Sequence, residues 1–451
     1  MKDKQPLLPG LKPFVDLRPK KQSDNKKNSQ YLWLPGEEPP TLGEHSLAKH
    51  RILKEYLEKY VSILAANPVV EQLNLSIVDG FSGGGAYRHP KTGERIPGSP
   101  ILMLQAMDFA EAKAIGIRQK KEFKLNTQFY FIEEQRLTID YLENELSACK
   151  AAHGKGDRIH TLHGKFSQHL DAVISTIKAT GRANRAIFLL DQYGYTDVTL
   201  ANMRKIFHEL PNAEVILTFA IDWLADFINE TGSFESALRN LELEHQRDLL
   251  LRIRQEHASD WRPTIQHLLH QHFYEKSGGD CYTPFFIHSS DSHRAYWLLH
   301  FSMHSTARNA MVSLHWDMHD HFQHFGKAGF GMLLGYDPDR ISEANQGTFE
   351  FDADARELAH QALLAEIPSR MSQFKGPISF KHFFNAVVNE TPATKEMIAK
   401  MISELSRARE VEVFSKDRKE RRAGVVVKDT DLIRLPQNKT FLPIWKPGEA
   451  Q

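Results

Sequence analysis

Leu75-Ser76-Ile77-Val78-Asp79-Gly80-Phe81-Ser82-Gly83-Gly84-Gly85-Ala86-Tyr87 is an apolar run that ends in glycines. It reads as a strand followed by a turn. Three consecutive glycines let a backbone approach a ligand or another chain segment closely. Outward from this stretch the chain alternates between two kinds of segment. Upstream, Ile52, Leu53, Tyr56, Leu57, Tyr60 and Leu64 recur at helical spacing, which predicts a helix at about 47–67. Downstream, Ser99–Ala114 reads as a helix with Pro100 in its first turn. QFYFIEE is a second strand, a helix runs to about Cys149, and RIHTLHG is a weaker third strand. AIFLLDQYGY is a strong fourth strand, Leu200–Leu210 a helix, and AEVILTF a fifth strand.

Strand–helix alternation of this kind predicts an α/β fold, a doubly wound parallel sheet with helices on both faces. Continuous apolar strands such as AIFLL are what a doubly covered sheet requires. Residues 222–280 read as a helical insertion. PFFIHSS and YWLLHFSMHS, flanking DSHR, are expected as an antiparallel pair that closes the sheet edge.

The chain has 451 residues, more than one ordinary domain of roughly 100–200 residues holds. An irregular extension is expected at 1–43, from which LPGLKPFVDL and YLWL are short apolar pieces able to dock on the body. The α/β domain is expected at 44–345 and a linker helix at 346–376. From 377 the texture changes. Two helical segments (Phe380–Asn389 and Thr394–Arg407) precede VEVFS, the basic loop KDRKERR and AGVVVKD. Helix, helix, strand, charged loop, strand is the order of a winged helix, expected here at 377–451.

Lys+Arg and Asp+Glu number 57 each, so no global charge announces a nucleic-acid partner. Local basic residues would have to meet one: Lys416, Arg418, Lys419, Arg421 and Arg422 on the loop, with Lys395 and Lys400 on the second helix. Asp417 and Glu420 interrupt the loop's charge, and a solvated loop is the alternative. The only cysteines are Cys149 and Cys281, which excludes a disulfide framework and a cysteine-based metal site. The opening MKDKQPLLPGLKPF lacks the apolar core of a signal peptide, and no apolar run reaches the roughly 18 residues of a membrane span. A soluble cytoplasmic protein is expected. Histidines cluster in HWDMHDHFQHF (315–325), where His315 and His319 share a helix face. There is no H-E-x-x-H, and interleaved Trp316, Met318, Phe322 and Phe325 favour a half-buried helix with surface histidines over a metal site. No phosphate-binding G-x-x-x-x-G-K-[ST] loop occurs, which removes support for phosphoryl transfer.

Open α/β sheets bind nucleotides at the carboxyl ends of their strands. Asp79-Gly80-Phe81-Ser82-Gly83 differs from the dinucleotide pattern G-x-G-x-x-G and suits the amino-acid end of S-adenosylmethionine better than a pyrophosphate. A plain tight turn is the alternative. Glu133 ends the second strand, where a carboxylate can accept from both ribose hydroxyls; a solvated strand-end carboxylate beside Glu134 is the alternative. Asp191-Gln192-Tyr193-Gly194 ends the fourth strand. In amino-methyltransferases a polar side chain at this place orients the target amino group and an aromatic ring stacks on the base, roles open to Asp191 and Tyr193; a strand ending in a plain turn is the alternative.

Together these segments resemble the three-Cys-motif partner (TcmP) family. The resemblance rests on IVDGFSGGGAY, GSPILML, FIEEQ and LLDQYG in that order, over about residues 45–335. That family in turn resembles ribosomal-RNA adenine-N6 methyltransferases, to whose Lys-His and GSP segments Lys49-His50 and Gly98-Ser99-Pro100 are similar. The resemblance implies a Rossmann-like methyltransferase domain that uses S-adenosylmethionine, held by Lys49, His50, Asp79, Phe81, Ser82, Gly83, Gly85, Ser99 and Glu133. It implies methyl transfer to a nucleic-acid base amino group at Asp191, Gln192 and Tyr193, and a protein partner that carries the three-cysteine motif. The family has Asp-Pro-Phe-Gly where this chain has Asp191-Gln192-Tyr193-Gly194, so the proline that would stiffen the loop is missing. A methyltransferase-fold partner or sensor without catalysis, and a winged-helix DNA-binding protein, are the alternatives.

Overall fold

The computed structural model describes residues 31–118, 122–181, 184–192, 197–219, 231–256, 261–289, 292–318, 322–325, 328–330, 348–350 and 353–436. LPGLKPFVDL, Tyr193, His319, Asp320 and His321 lie outside the described residues. The chain divides into two compact units, one carried mainly by the segment up to Gly326 and the other by the segment from Ala353.

The first unit is a mixed α/β structure around a nine-stranded sheet. Its parallel part is β1 (Gln72–Asp79), β4 (Lys124–Glu133), β5 (Ile159–His163), β6 (Arg185–Leu190) and β7 (Ala213–Phe219). These stand in the order β5-β4-β1-β6-β7. The chain builds outward from β1 in one direction and from β6 in the other. The crevice at the β1/β6 carboxyl ends is therefore the topological switch point, where open α/β sheets bind ligands.

β8 (Cys281–Ser289) and β9 (Ser292–Ser302) form the expected antiparallel pair, and β9 lies antiparallel against β7. They do not close the edge. β10 (Phe322–Phe325) adds to β8, and β11 (Thr348–Glu350) adds to β10. Those two strands pair over only two or three residues, too short for a periodic signal.

Each sheet face is covered for a visible reason. Successive side chains alternate between faces, so Val215 and Leu217 of β7 join one layer while Glu214 and Ile216 join the other. The first layer is packed by α4 (Phe166–Ala179) and α5 (Leu200–Glu209). The insertion helices α6 (Thr231–Asn240), α7 (Arg247–Glu256) and α8 (Trp261–Lys276) complete it. Phe234, Leu238, Leu250, Leu269 and Phe273 belong to the same core as Phe188 and Leu217, so the insertion is part of the fold's body.

The second layer holds α1 (Glu44–Ala65), α2 (Ser99–Arg118) and α9 (Ser305–Met318). α1 buries Ile52, Leu53, Tyr56, Leu57 and Tyr60 of the expected stripe; Leu64 is half-buried and Val61 is buried in addition. Tyr56 reaches a buried polar group below it. Its hydroxyl donates to Glu214 Oε2, which also lies 3.1 Å from His300 Nε2 of β9. Glu214 is thereby partnered from two other elements, as a carboxylate inside a core must be.

Residues 31–43 lie along the hairpin β2 (Ala86–Arg88) and β3 (Arg95–Pro97). Leu42 N donates to Arg88 O at 2.9 Å, Arg88 N to Pro40 O at 2.9 Å, and Trp33 Nε1 to Ala86 O at 2.8 Å. YLWL docks as its apolar character suggests.

In the second unit, α10 (Ala353–Met371), α11 (Phe380–Val387) and α12 (Lys395–Arg407) join a small sheet in the order β12-β14-β13. Its strands are Ile378–Ser379, Leu432–Arg434 and Glu412–Phe414. α10, expected as a linker, packs on α12 inside this unit. Thr394 caps α12 by accepting from Met397 N at 3.2 Å. The expected strand AGVVVKD is corrected: the ladder uses Leu432–Arg434 instead. Ile433 is fully buried opposite Val413, whereas Val426 is 76% exposed and Gly424 has φ +77°. A burial pattern, not β-branching alone, selects the strand.

The glycine run tests the packing directly. Gly85 has φ +79°, and a Cβ there would sit 2.7 Å from Leu142 Cδ1. Gly85→Ala is expected to cost about 2–4 kcal/mol. Urea unfolding of the purified variant checks this; unchanged stability would contradict the packing.

Candidate functional site

The carboxyl ends of β1, β4, β5 and β6 surround one cavity of about 540 Å³. Its wall brings together Lys49 and His50 of α1, Gly80, Phe81 and Gly83 of the glycine loop, and Ser99 at the start of α2. Glu133 at the end of β4, Gly164–Ser167 after β5, and Asp191 and Gln192 after β6 complete it. These positions span more than a hundred residues of sequence.

The loop after β1 is shaped by its own bonds. Gly80 N donates to Leu189 O at 2.9 Å and continues the β1–β6 ladder. Phe81 N donates to Asp79 Oδ1 at 3.2 Å. The Ser82 amide and hydroxyl both donate to Ile132 O, at 3.0 and 2.9 Å. Asp79, Ser82 and Gly85 are therefore turned into the loop's support and do not line the cavity. Gly83, at φ +58°, donates its amide to Glu133 Oε2 at 3.1 Å, while Gln135 N donates to Glu133 Oε1 at 2.8 Å. Burial raises the Glu133 carboxyl above its ordinary range, and the amides of Gln135, Gly83 and Glu134 oppose the rise.

At the opposite wall, Lys49 Nζ lies 2.6 Å from both Asp191 oxygens. Burial alone would raise Asp191. The Lys49 ammonium outweighs it, helped by Thr218 and His50, and holds the carboxyl below the ordinary range. His50 is pushed down to about 4 by burial and by the Lys49 charge, against the pull of Asp191, so its ring is neutral near pH 7. Gln192 is nearly buried. Its Oε1 accepts from Asp197 N at 3.2 Å and Val198 N at 3.1 Å. Where the resemblance leads one to expect a proline, this side chain braces the far end of the loop that follows β6.

Sequence reasoning missed an aromatic group in the lining of the cavity. Tyr31, Trp33 and Tyr87 pack with ring centroids 5.2–5.9 Å apart. The indole of Trp33 covers Gly83 and Gly84, where any Cβ would collide with it. The available signal was YLWL, which looks like a docking piece and is also a wall of the cavity.

The lining carries Glu133, Glu134, Asp191 and Asp197 against Lys49 and Lys165. Carboxylates thus outnumber ammonium groups, which favours a ligand with positive charge and disfavours a pyrophosphate. Among the described residues no group of His, Cys, Asp and Glu has metal-holding geometry. The half-buried helix with surface histidines expected at 315–325 is corrected: α9 ends at Met318, Phe322–Phe325 is strand β10, and His315 is fully buried and stacked on Phe285, with centroids 3.5 Å apart. No helix among the described residues is long and apolar enough to cross a membrane.

In the second unit, Lys416, Arg418 and Lys419 sit exposed on a tight turn after β13, closed by Ser415 N to Lys419 O at 2.8 Å. Arg422 and Lys400 are exposed as well. Two of the expected cations are engaged within the unit. Lys395 lies 2.5 Å from Asp429, and Arg421 pairs with the buried Asp431.

Residues 335–418 match a family model described as a GMT-like wHTH domain. No curated protein matches the chain. Among solved structures, the chain is similar to a protein from Legionella pneumophila str. Philadelphia 1. The identity is 10%, over 55% of this chain and 85% of that one, with a TM-score of 0.31. It is also similar to a candidate O-methyltransferase from Klebsiella pneumoniae, at 11% identity over 54% and 79% of the two chains and a TM-score of 0.26.

Asp79 supplies a pH test. Its carboxyl is fully buried, which pushes it up to about 7 from 3.8, against the Ser99 hydroxyl and the Phe81 amide. Between those values the folded chain binds more protons than the unfolded chain, so this group makes stability fall as pH rises from about 4 to about 7. Asp191 has the opposite sign: its contribution is present above the ordinary carboxylate range and lost as acid titrates the folded pair. Asp79→Asn is expected to be more stable than the wild type at pH 8, by on the order of 2–4 kcal/mol, with the advantage shrinking toward pH 4. Denaturant titrations at the two pH values check this, and a pH-independent difference would contradict it.

Proposed function

We propose that the chain is a methyltransferase-like protein that binds S-adenosylmethionine and acts on a nucleic-acid base amino group. One observation carries the reading: Lys49-His50, the glycine loop, Glu133 and Asp191 converge on a single cavity at the switch point of the sheet. The sheet order β5-β4-β1-β6-β7, with antiparallel β9 inserted between β7 and β8, supports a Rossmann-like methyltransferase fold.

The lining suits this cofactor. Glu133 stands where ribose hydroxyls would donate to it, and Gly83 and Phe81 offer close backbone approach. The segment Gly164–Phe166 flanks the space for a flat base. The excess of carboxylates suits a cationic nucleoside and opposes a dinucleotide. When bound, S-adenosylmethionine supplies an electrophilic methyl group.

The chain's own residues do the positioning. Asp191, ionised because Lys49 lies against it, can accept a hydrogen bond from a target amino group and aim its nitrogen. A strong base is not required, because the nitrogen loses its proton readily once it is alkylated. The neutral ring of His50 adds no charge to repel a cationic donor. The winged-helix unit would bring nucleic acid through Lys416, Arg418, Lys419 and Arg422, with Lys400 on α12. The three-Cys-motif resemblance adds a protein partner to the proposal.

A second reading is favoured by one feature. Lys49 grips both Asp191 oxygens, and Gln192 replaces a stiff proline. A sensor that binds the nucleoside without transferring its methyl group would keep the cavity and tolerate this clamp.

Calorimetry with S-adenosylmethionine tests the site. Binding in about the micromolar range is expected, weakened about tenfold or more by Glu133→Gln. Absence of binding sinks both readings. Labelled-methyl transfer to RNA and DNA pools, abolished in Asp191→Ala, supports the enzyme; binding without transfer supports the sensor. Separately, Lys416→Glu with Lys419→Glu is expected to weaken nucleic-acid retention and to lower its salt dependence by about two ions. An unchanged salt slope would remove the loop from the interface.

A further inference from the structure

The aromatic group beside the glycine loop has no part in the reading so far, yet it is held firmly. Trp33 donates its indole N–H to Ala86 O at 2.8 Å and lies on Gly83 and Gly84. Tyr31 accepts from Gly43 N at 3.1 Å. Tyr87 projects from β2, its hydroxyl 3.4 Å from the place a Cβ on Gly83 would take. His50 closes the other side of Tyr87, with centroids 6.0 Å apart. Tyr31, Trp33, His50 and Tyr87 all line the cavity.

We propose that Tyr31, Trp33 and Tyr87 form a cation-reading wall, which makes the cavity select a sulfonium-bearing nucleoside over its neutral thioether counterpart. The inference rests on the S-adenosylmethionine reading and adds the basis of discrimination. Ring faces attract a cation through their quadrupole, most strongly where water is excluded. A sulfonium cannot donate a classical hydrogen bond, so π-faces and carboxylates are the groups able to recognise its charge. Here both meet. Tyr87 stands near the carboxylates of Asp191 and Glu133, His50 packs beside its ring, and the lining has an excess of carboxylates. Burial, with Tyr31 and the carboxylates of Asp191, Asp79 and Glu133 nearby, raises the Tyr87 phenol well above its ordinary value. The ring therefore stays neutral and keeps its π-face rather than becoming a phenolate. A thioether of the same shape presents no charge to this wall and gains only its apolar contact.

The wall also explains why the segment before α1 is stapled so closely to the β2–β3 hairpin. Two of the three rings come from that segment and one from the hairpin. The bonds from Leu42 and Arg88 hold the two pieces in register.

Calorimetric titration of the full chain with S-adenosylmethionine, S-adenosylhomocysteine and adenosine tests the wall. The wild type is expected to bind the sulfonium about five- to tenfold more tightly than the thioether. Tyr31→Leu and Tyr87→Leu should bring the ratio close to one by weakening the sulfonium more than the thioether, and Tyr87→Phe should preserve the ratio. A wild-type ratio of one or less overturns the proposal. So do leucine variants that weaken both nucleosides equally. If a leucine variant fails to fold, the wild-type ratio still decides. Equal binding of the two nucleosides defeats the wall alone, whereas no binding of either defeats the donor reading beneath it.

Discussion

The site depends on backbone brought closer than any side chain would allow. A Cβ on Gly80 would meet Leu190 and Phe166, and one on Gly85 would meet Leu142. A Cβ on Gly83 or Gly84 would strike Trp33. Gly98 approaches from the other side: a Cβ there would lie 2.8 Å from the Gly85 carbonyl carbon, and its amide donates to Gly85 O at 2.8 Å. One short stretch thus fixes where the N-terminal segment lies, where the hairpin turns and where α2 begins. The cavity is the space left beside it. Glycine supplies both the positive φ and the close approach, and no other residue supplies both without strain.

Much of this architecture was legible in the sequence, for a definite reason. β1, β4, β6 and β7 are buried on both faces and announce themselves as apolar runs. Glu133 and Asp191 stand at the ends of such runs, so their placement followed from the strands. Short elements were not legible. β10, β11 and the strands of the small sheet pair over two or three residues, less than one clear period. AGVVVKD looked like a strand because it is β-branched, yet Ile433 has the buried partner positions. The ion pair of Lys49 with Asp191 joins residues far apart in sequence, and no spacing rule reports it. Trp33 was visible only as an apolar side chain in an irregular segment. Its role appeared once the glycines were seen to be shaped around it.

Electrostatics then divides the cavity into two working ends. Glu133 is held by loop amides at one end, and its carboxyl is raised by burial. Asp191 is held by an ammonium at the other, and its carboxyl is lowered. Two carboxylates whose environments push them apart are suited to different tasks, which in the proposed function are holding hydroxyls and aiming an amine. The winged-helix unit is separate in construction. Its exposed cations sit on a turn, while Lys395 and Arg421 stabilise the unit itself. Positioning nucleic acid by phosphate contacts suits that arrangement better than reading bases along α12.

The account stands or falls on what occupies the cavity beside the glycine loop. Ultraviolet crosslinking of methyl-labelled S-adenosylmethionine to the full chain, followed by peptide mapping, tests this most directly. The account predicts label in peptides that carry Trp33, Tyr87 or the Glu133 turn, and competition by unlabelled S-adenosylmethionine. Label that resists competition, or that appears only in the winged-helix unit, would contradict it.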